Sequence, residues 1–97
     1  MSKVLPIYSW DTSNPKLWLF QLTSPTQLRH KYWSGSAWVT GDIPASAIAV
    51  AAGAELTGRY VSDAEWHVFA PTGDGRTVHW FWDATAKPLP KARVEIQ

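Results

Sequence analysis

Apolar and polar positions alternate with a period of two in short runs along this chain, and the runs end at Pro, Gly, Ser or Asp. That period sends successive side chains to opposite faces of an extended backbone, so the pattern predicts strands and turns rather than helices. Trp66-His67-Val68-Phe69-Ala70 and Thr77-Val78-His79-Trp80-Phe81-Trp82 flank Pro71-Thr72-Gly73-Asp74-Gly75, a turn sequence with residues able to take positive φ. Leu17 to Gln21 and Gln27 to Trp33 stand around Ser24-Pro25 in the same way. A hairpin centred on Ser24 sets Trp18 opposite His30 and Phe20 opposite Leu28, and one centred on Gly73 sets His67 opposite His79. His30 and Tyr32 then share one face while Lys31 and Trp33 share the other; His79 with Phe81 and Trp80 with Trp82 divide likewise.

The two hairpins are copies of one unit. A shift of 49 lays Phe69 on Phe20, Thr72 on Thr23, His79 on His30, Trp82 on Trp33 and Ala86 on Ala37, and it matches Val68 with Leu19 and Phe81 with Tyr32 in character. Pro44 to Gly53 is read as an extended segment of small residues, although its alanines favour helix. It matches Val4 to Trp10 at a shift of 43, which implies a six-residue insertion around Gly58. Each copy is therefore expected to be a small antiparallel sheet with large rings on both faces. Such a sheet must be covered on both sides, as happens when β-propeller blades stack around an axis. The expected fold is all-β: one domain of two four-stranded blades, about 1–45 and 46–97.

Composition removes several functions. Formal net charge is +1 and the nine Lys and Arg are dispersed, so no basic run is available for phosphates and nucleic acid is not an expected partner. The absence of cysteine excludes disulfides, thiolate zinc ligands and thiol catalysis. Neither a membrane-spanning stretch nor the apolar core of a signal peptide is evident. The chain reads as soluble, without membrane insertion, either cytoplasmic or exported by a non-classical route. Seven tryptophans are more than a core of this size needs. A ring with a large apolar face and one N–H suits half-open pockets and interfaces. Trp10, Trp66 and Trp80 are assigned to the core.

The run Leu28-Arg29-His30-Lys31-Tyr32-Trp33-Ser34-Gly35-Ser36-Ala37-Trp38-Val39-Thr40-Gly41 resembles the blade signature of fucose-binding β-propeller lectins, and Trp66 to Ala70 with Val78 to Asp83 resembles it again. In the small bacterial members of that family, two blades per chain trimerise into a six-bladed ring with sugar sites between adjacent blades. The resemblance implies a homotrimer that binds glycans on cell surfaces. It implies a within-chain site of Trp18, His30 and Trp82, with Lys87 where a second Trp would stand. It also implies a between-chain site of His67 and His79 from one copy and Trp33 and Trp38 from its neighbour. Fucose-specific members carry Arg where Trp18 and His67 stand, and Glu where His30 and His79 stand. Relatives of broader specificity show a His in a Leu-Trp-His-Lys-Trp-Trp-like strand, closer to this chain. The likeness thus favours the lectin fold over fucose specificity.

Trp walls for the C–H face of a sugar, with a few directed polar groups, are what such recognition requires. Each histidine either bonds a sugar hydroxyl or is buried against backbone. A metal site is not expected, since His67 and His79 lack a completing carboxylate cluster, and no cofactor is implied. An enzyme is not expected either: a glycosidase needs two placed carboxylates, yet the acids fall mainly at turns and edges. The alternative is a Trp-rich scaffold for protein–protein interaction without sugar binding.

Overall fold

The computed structural model describes residues 4–8, 17–33, 35–62 and 65–97. These form eight strands in two antiparallel sheets, and no helix occurs among them. Sheet 1 contains β1 (Val4–Tyr8), β2 (Leu17–Ser24), β3 (Gln27–Trp33) and β4 (Trp38–Asp42). Sheet 2 contains β5 (Thr57–Ser62), β6 (Glu65–Pro71), β7 (Thr77–Asp83) and β8 (Lys91–Ile96). In each, strand order equals chain order, a simple meander. Trp10 lies outside the described residues.

The hairpin registers differ from the expected ones by one pairing step. Trp18 stands opposite Tyr32, Phe20 opposite His30 and Leu22 opposite Leu28, because the turn falls at Pro25-Thr26 with an irregularity after Leu22. His67 stands opposite Phe81, and Phe69 opposite His79, because the second turn is centred on Asp74. Thr72 and Asp74 set that centre. The Arg76 N–H donates to Thr72 Oγ1 at 2.9 Å, and the Arg76 Nε donates to the Asp74 carboxylate at 3.0 Å. Gly75 takes the positive φ, 89°, that closes the turn.

The segment 43–56 is the main correction: it is neither helix nor the first strand of sheet 2. It crosses the closed ends of both hairpins and ties them together. The N–H groups of Ser46 and Val50 donate to Thr26 and Pro25 carbonyls, and that of Ala51 donates to the Pro71 carbonyl. Trp80 Nε1 donates to the Pro44 carbonyl at 3.1 Å. Ile43, Val50, Ala54 and Leu56 are buried there, so its apolar residues cap the core. The role assigned to it belongs to β5, where Thr57 pairs with Phe69 as Leu5 pairs with Phe20. The shift between first strands is thus 52 rather than 43, and relative to 49 the second copy has lost three residues before β6 instead of gaining six. Between fourth strands the shift is 54, since Ala92 pairs with Trp82 as Trp38 pairs with Trp33, so five extra residues extend the β7–β8 loop.

The two sheets pack face to face. Trp18, Phe20, Leu22 and Leu28 of sheet 1 meet Trp66, Val68, Val78 and Trp80 of sheet 2 in one core. The Phe20 and Trp66 rings lie 4.8 Å apart, and those of Trp18 and Tyr60 lie 5.4 Å apart. Burying one Leu or Phe completely is worth about 1.5–3 kcal/mol, against about 0.5–1.5 kcal/mol net for one hydrogen bond. Packed faces, more than the linker's bonds, therefore hold the halves together. Alternation leaves each sheet one outward face: Leu19, Lys31, Trp33 and Trp38 on sheet 1, and His67, Phe69, His79 and Phe81 on sheet 2. By the shift of 49, the outward face of sheet 2 is the counterpart of the inner face of sheet 1, and the outward face of sheet 1 the counterpart of the inner face of sheet 2. The internal packing is thus head-to-tail, and both of its halves recur on the outside.

Candidate functional site

The within-chain set is brought together only in part. Trp18 and His30 lie with ring centroids 5.4 Å apart, and Tyr32 and Tyr60 complete an aromatic cluster around Trp18. Trp82 reaches the cluster through Trp66, at 6.4 Å. Trp18 is 8% exposed, and its indole N–H has no partner among the described residues. A buried N–H left unpaired costs about 1–3 kcal/mol, and this one is closed to solvent as well. His30 sits over the backbone of Gly41, its pairing partner on β4, closely enough that a Cβ there would overlap the ring at Nε2 and Cε1. Glycine at this position is what admits the imidazole.

Lys87 does not occupy the place of a second Trp. The longer β7–β8 loop carries it away from the sheet, exposed to solvent, and Ala92 stands in the position that Trp38 has in sheet 1. The ungapped repeat placed it wrongly because strand pairing, not sequence spacing, sets equivalence across loops of unequal length.

The between-chain set divides between the two outward faces. On sheet 1, Trp33 and Trp38 pair across β3 and β4 with ring centroids 5.4 Å apart at 64°, an edge-to-face arrangement. They remain 40% and 46% exposed. On sheet 2, His67 Nδ1 and His79 Nε2 are 2.8 Å apart, with His67 Nε2 bonded to Glu65 at 2.8 Å and His79 Nδ1 bonded to Gln97 at 3.2 Å. Phe69 and Phe81 flank the imidazoles, the Phe69 ring 4.5 Å from His79 and nearly parallel to it. Burial and the neighbouring His67 hold the His79 pKa below the ordinary imidazole value, against the raising influence of Glu95. A shallow depression of about 200 Å³ opens beside them, lined by Thr57, Phe69, Pro71 and Thr77.

Glu65 and Gln97 are members of this polar chain that the sequence reading missed. Glu65 was within reach, since it lies two residues from His67 and so shares its face in a strand. Gln97 was not, because its approach to His79 depends on the β8 register that the long loop obscures. Among the described residues no group of three or more His, Asp or Glu is placed to hold a metal ion. No helix among them is long and apolar enough to cross a membrane.

These surfaces can stack a flat ring with apolar C–H groups on Trp33 and Trp38, and can offer polar groups from the exposed Glu65 and Gln97 that His67 and His79 hold. Residues 66–92, from β6 through the β7–β8 loop to the start of β8, match a family described as a repeat of unknown function (DUF346). No curated protein and no solved structure matches the chain.

Proposed function

We propose that this chain is a carbohydrate-binding lectin whose two sheets act as β-propeller blades and hold a monosaccharide, such as fucose or a related sugar of a cell-surface glycan, in the clefts between adjacent blades. The observation that carries the reading is the Trp33–Trp38 pair. Two large rings stand on an outward sheet face, packed against each other and nearly half exposed, where they add little to the core. Water-exposed indole walls of this kind suit the apolar face of a sugar ring. From the opposite outward face, His67 and His79 hold the exposed Glu65 carboxylate and Gln97 amide, which supply the directed polar groups.

Opposite faces of one chain meet only through a second copy. The head-to-tail packing inside the chain provides the rule. Applied again, it sets the His67/Phe69/His79/Phe81 face of one copy against the Leu19/Lys31/Trp33 face of the next, and the depression at Phe69 receives apolar side chains of β2 from that neighbour. A heterologous contact that closes gives a ring. A homotrimer with six blades is the proposed assembly, with the within-chain site at Trp18, His30 and Trp82 recurring beside the between-chain site. A ring with all its sites on one assembly binds surface glycans with avidity. The test combines light scattering with a glycan array. A stable trimer that binds a coherent set of glycans supports the proposal; a stable monomer at micromolar concentration, or an array blank for the assembled protein, overturns it.

A further inference from the structure

The bonding partners of His67 and His79 fix where their protons sit. Glu65 accepts only, so His67 Nε2 carries hydrogen toward it and the neutral ring presents Nδ1 as an acceptor. His79 Nε2 then donates across the 2.8 Å contact to His67 Nδ1, and His79 Nδ1 accepts from the Gln97 side-chain amide. With both imidazoles neutral, each imidazole N–H meets an acceptor.

One added proton can be seated. With it on either ring, His79 Nδ1 carries hydrogen, and Gln97 turns its amide to present oxygen. A second proton has no place, because it would put an N–H on His67 Nδ1 directly against the N–H of His79 Nε2. Charges of both signs surround the pair, and none of them relieves this N–H against N–H contact. Arg59 pairs with His67 from β5 and opposes added charge, whereas Arg93, opposite Phe81 on β8, is ion-paired with Asp83 at 3.2 Å. Glu65 on β6 and Glu95, opposite His79 on β8, favour added charge. The proposed assembly adds Lys31 of the neighbouring copy to this face, a further cation. Burial of His79 resists protonation as well, so acidification below about pH 6.5 acts against the covered state.

We propose that the Glu65–His67–His79–Gln97 chain is a proton-sensitive latch on the face through which one copy binds the next, closed while at most one imidazole is charged and opened when both are. The inference rests on the reading that a second copy covers this face. Opening separates the copies and with them the between-chain sugar site. The latch thus makes multivalent glycan binding a property of neutral surroundings and release a response to acid.

Sedimentation velocity on the full chain at pH 7.5 and pH 5.0 tests it. The dissociation constant of the assembly should rise about tenfold for each unit by which coverage depresses the second proton's pKa. His79→Phe, which keeps a ring between Phe69 and Phe81, should leave an assembly whose dissociation constant is unchanged between these pH values. Glu65→Gln, which removes the carboxylate favouring the charge on His67, should move opening to lower pH. Imidazole NMR of the wild-type protein should show His79 titrating below the ordinary imidazole range. A wild-type assembly with equal dissociation constants at both pH values overturns the latch and leaves the assembly standing. Undiminished pH dependence in His79→Phe also overturns the latch. A monomer at every pH overturns the assembly and the latch together.

Discussion

Gly41→Ala puts a methyl group into space that the His30 ring already fills, and the outcome can be worked out from the geometry. The new Cβ would overlap Nε2 and Cε1, both in a ring packed against Trp18 and Trp66, so the imidazole cannot retreat without disturbing the aromatic cluster. Overpacking of this kind costs about 1–3 kcal/mol. Replacing Gly by Ala in a strand returns about 0.5–1 kcal/mol of backbone entropy. Mid-range values leave a net loss of about 1 kcal/mol, or about 4–8 °C in Tm for a domain of this size. The assay is thermal unfolding at fixed protein concentration, followed by tryptophan fluorescence because the Trp18 and Trp66 rings line the site of the overlap. The decisive comparison is the same change on a His30→Ala background. There the overlap is gone, only the entropic gain remains, and Gly41→Ala should stabilise by about 0.5–1 kcal/mol. If the substitution has the same sign on both backgrounds, His30 does not occupy the space above Gly41 and the placement of this candidate site residue is wrong.

Trp38→Ala should weaken sugar binding by about 1–3 kcal/mol, by analogy with ring stacking on aromatics, while Lys87→Ala should leave it unchanged; calorimetry on both, with the oligomeric state checked, decides. Trp80→Phe removes the donor to the Pro44 carbonyl and leaves space around a fully buried ring, and should cost about 1–3 kcal/mol in urea unfolding. Asp74, held below the usual carboxylate range by Arg76 and then Thr72, contributes stability above its unfolded pKa near 3.9, and that contribution fades as pH falls through the range below it. Asp74→Ala should therefore lower Tm at pH 7 and lose less stability than the wild type between pH 5 and pH 2.

The strands flanking each hairpin were legible because alternation is a local signal. Trp66, Val68, Val78 and Trp80 face the core while His67 and His79 do not, as period two requires. The exact registers were not legible, since a shift of the turn centre from Ser24 to Pro25-Thr26 depends on the bulge after Leu22, and no residue pattern announces a bulge. The segment 43–56 misled for a different reason. Its small residues suit an extended strand, but its backbone is engaged by two hairpin turns that are remote in sequence. Lys87 failed as the counterpart of Trp38 because an ungapped repeat cannot see five extra loop residues. Trp33 and Trp38 lie together, as do His67 and His79, because each pair sits on adjoining strands of a single hairpin, although His67 stands opposite Phe81 and not His79.

The central claim is that sugar sits against exposed tryptophan on an outward sheet face, and titration of the assembled protein with free monosaccharides, L-fucose among them, tests it most directly through tryptophan fluorescence. A saturable change with at least one monosaccharide, lost or strongly weakened in Trp38→Ala rings that still assemble, is the predicted result. No change with any monosaccharide, or an identical titration in the assembled Trp38→Ala protein, would contradict it.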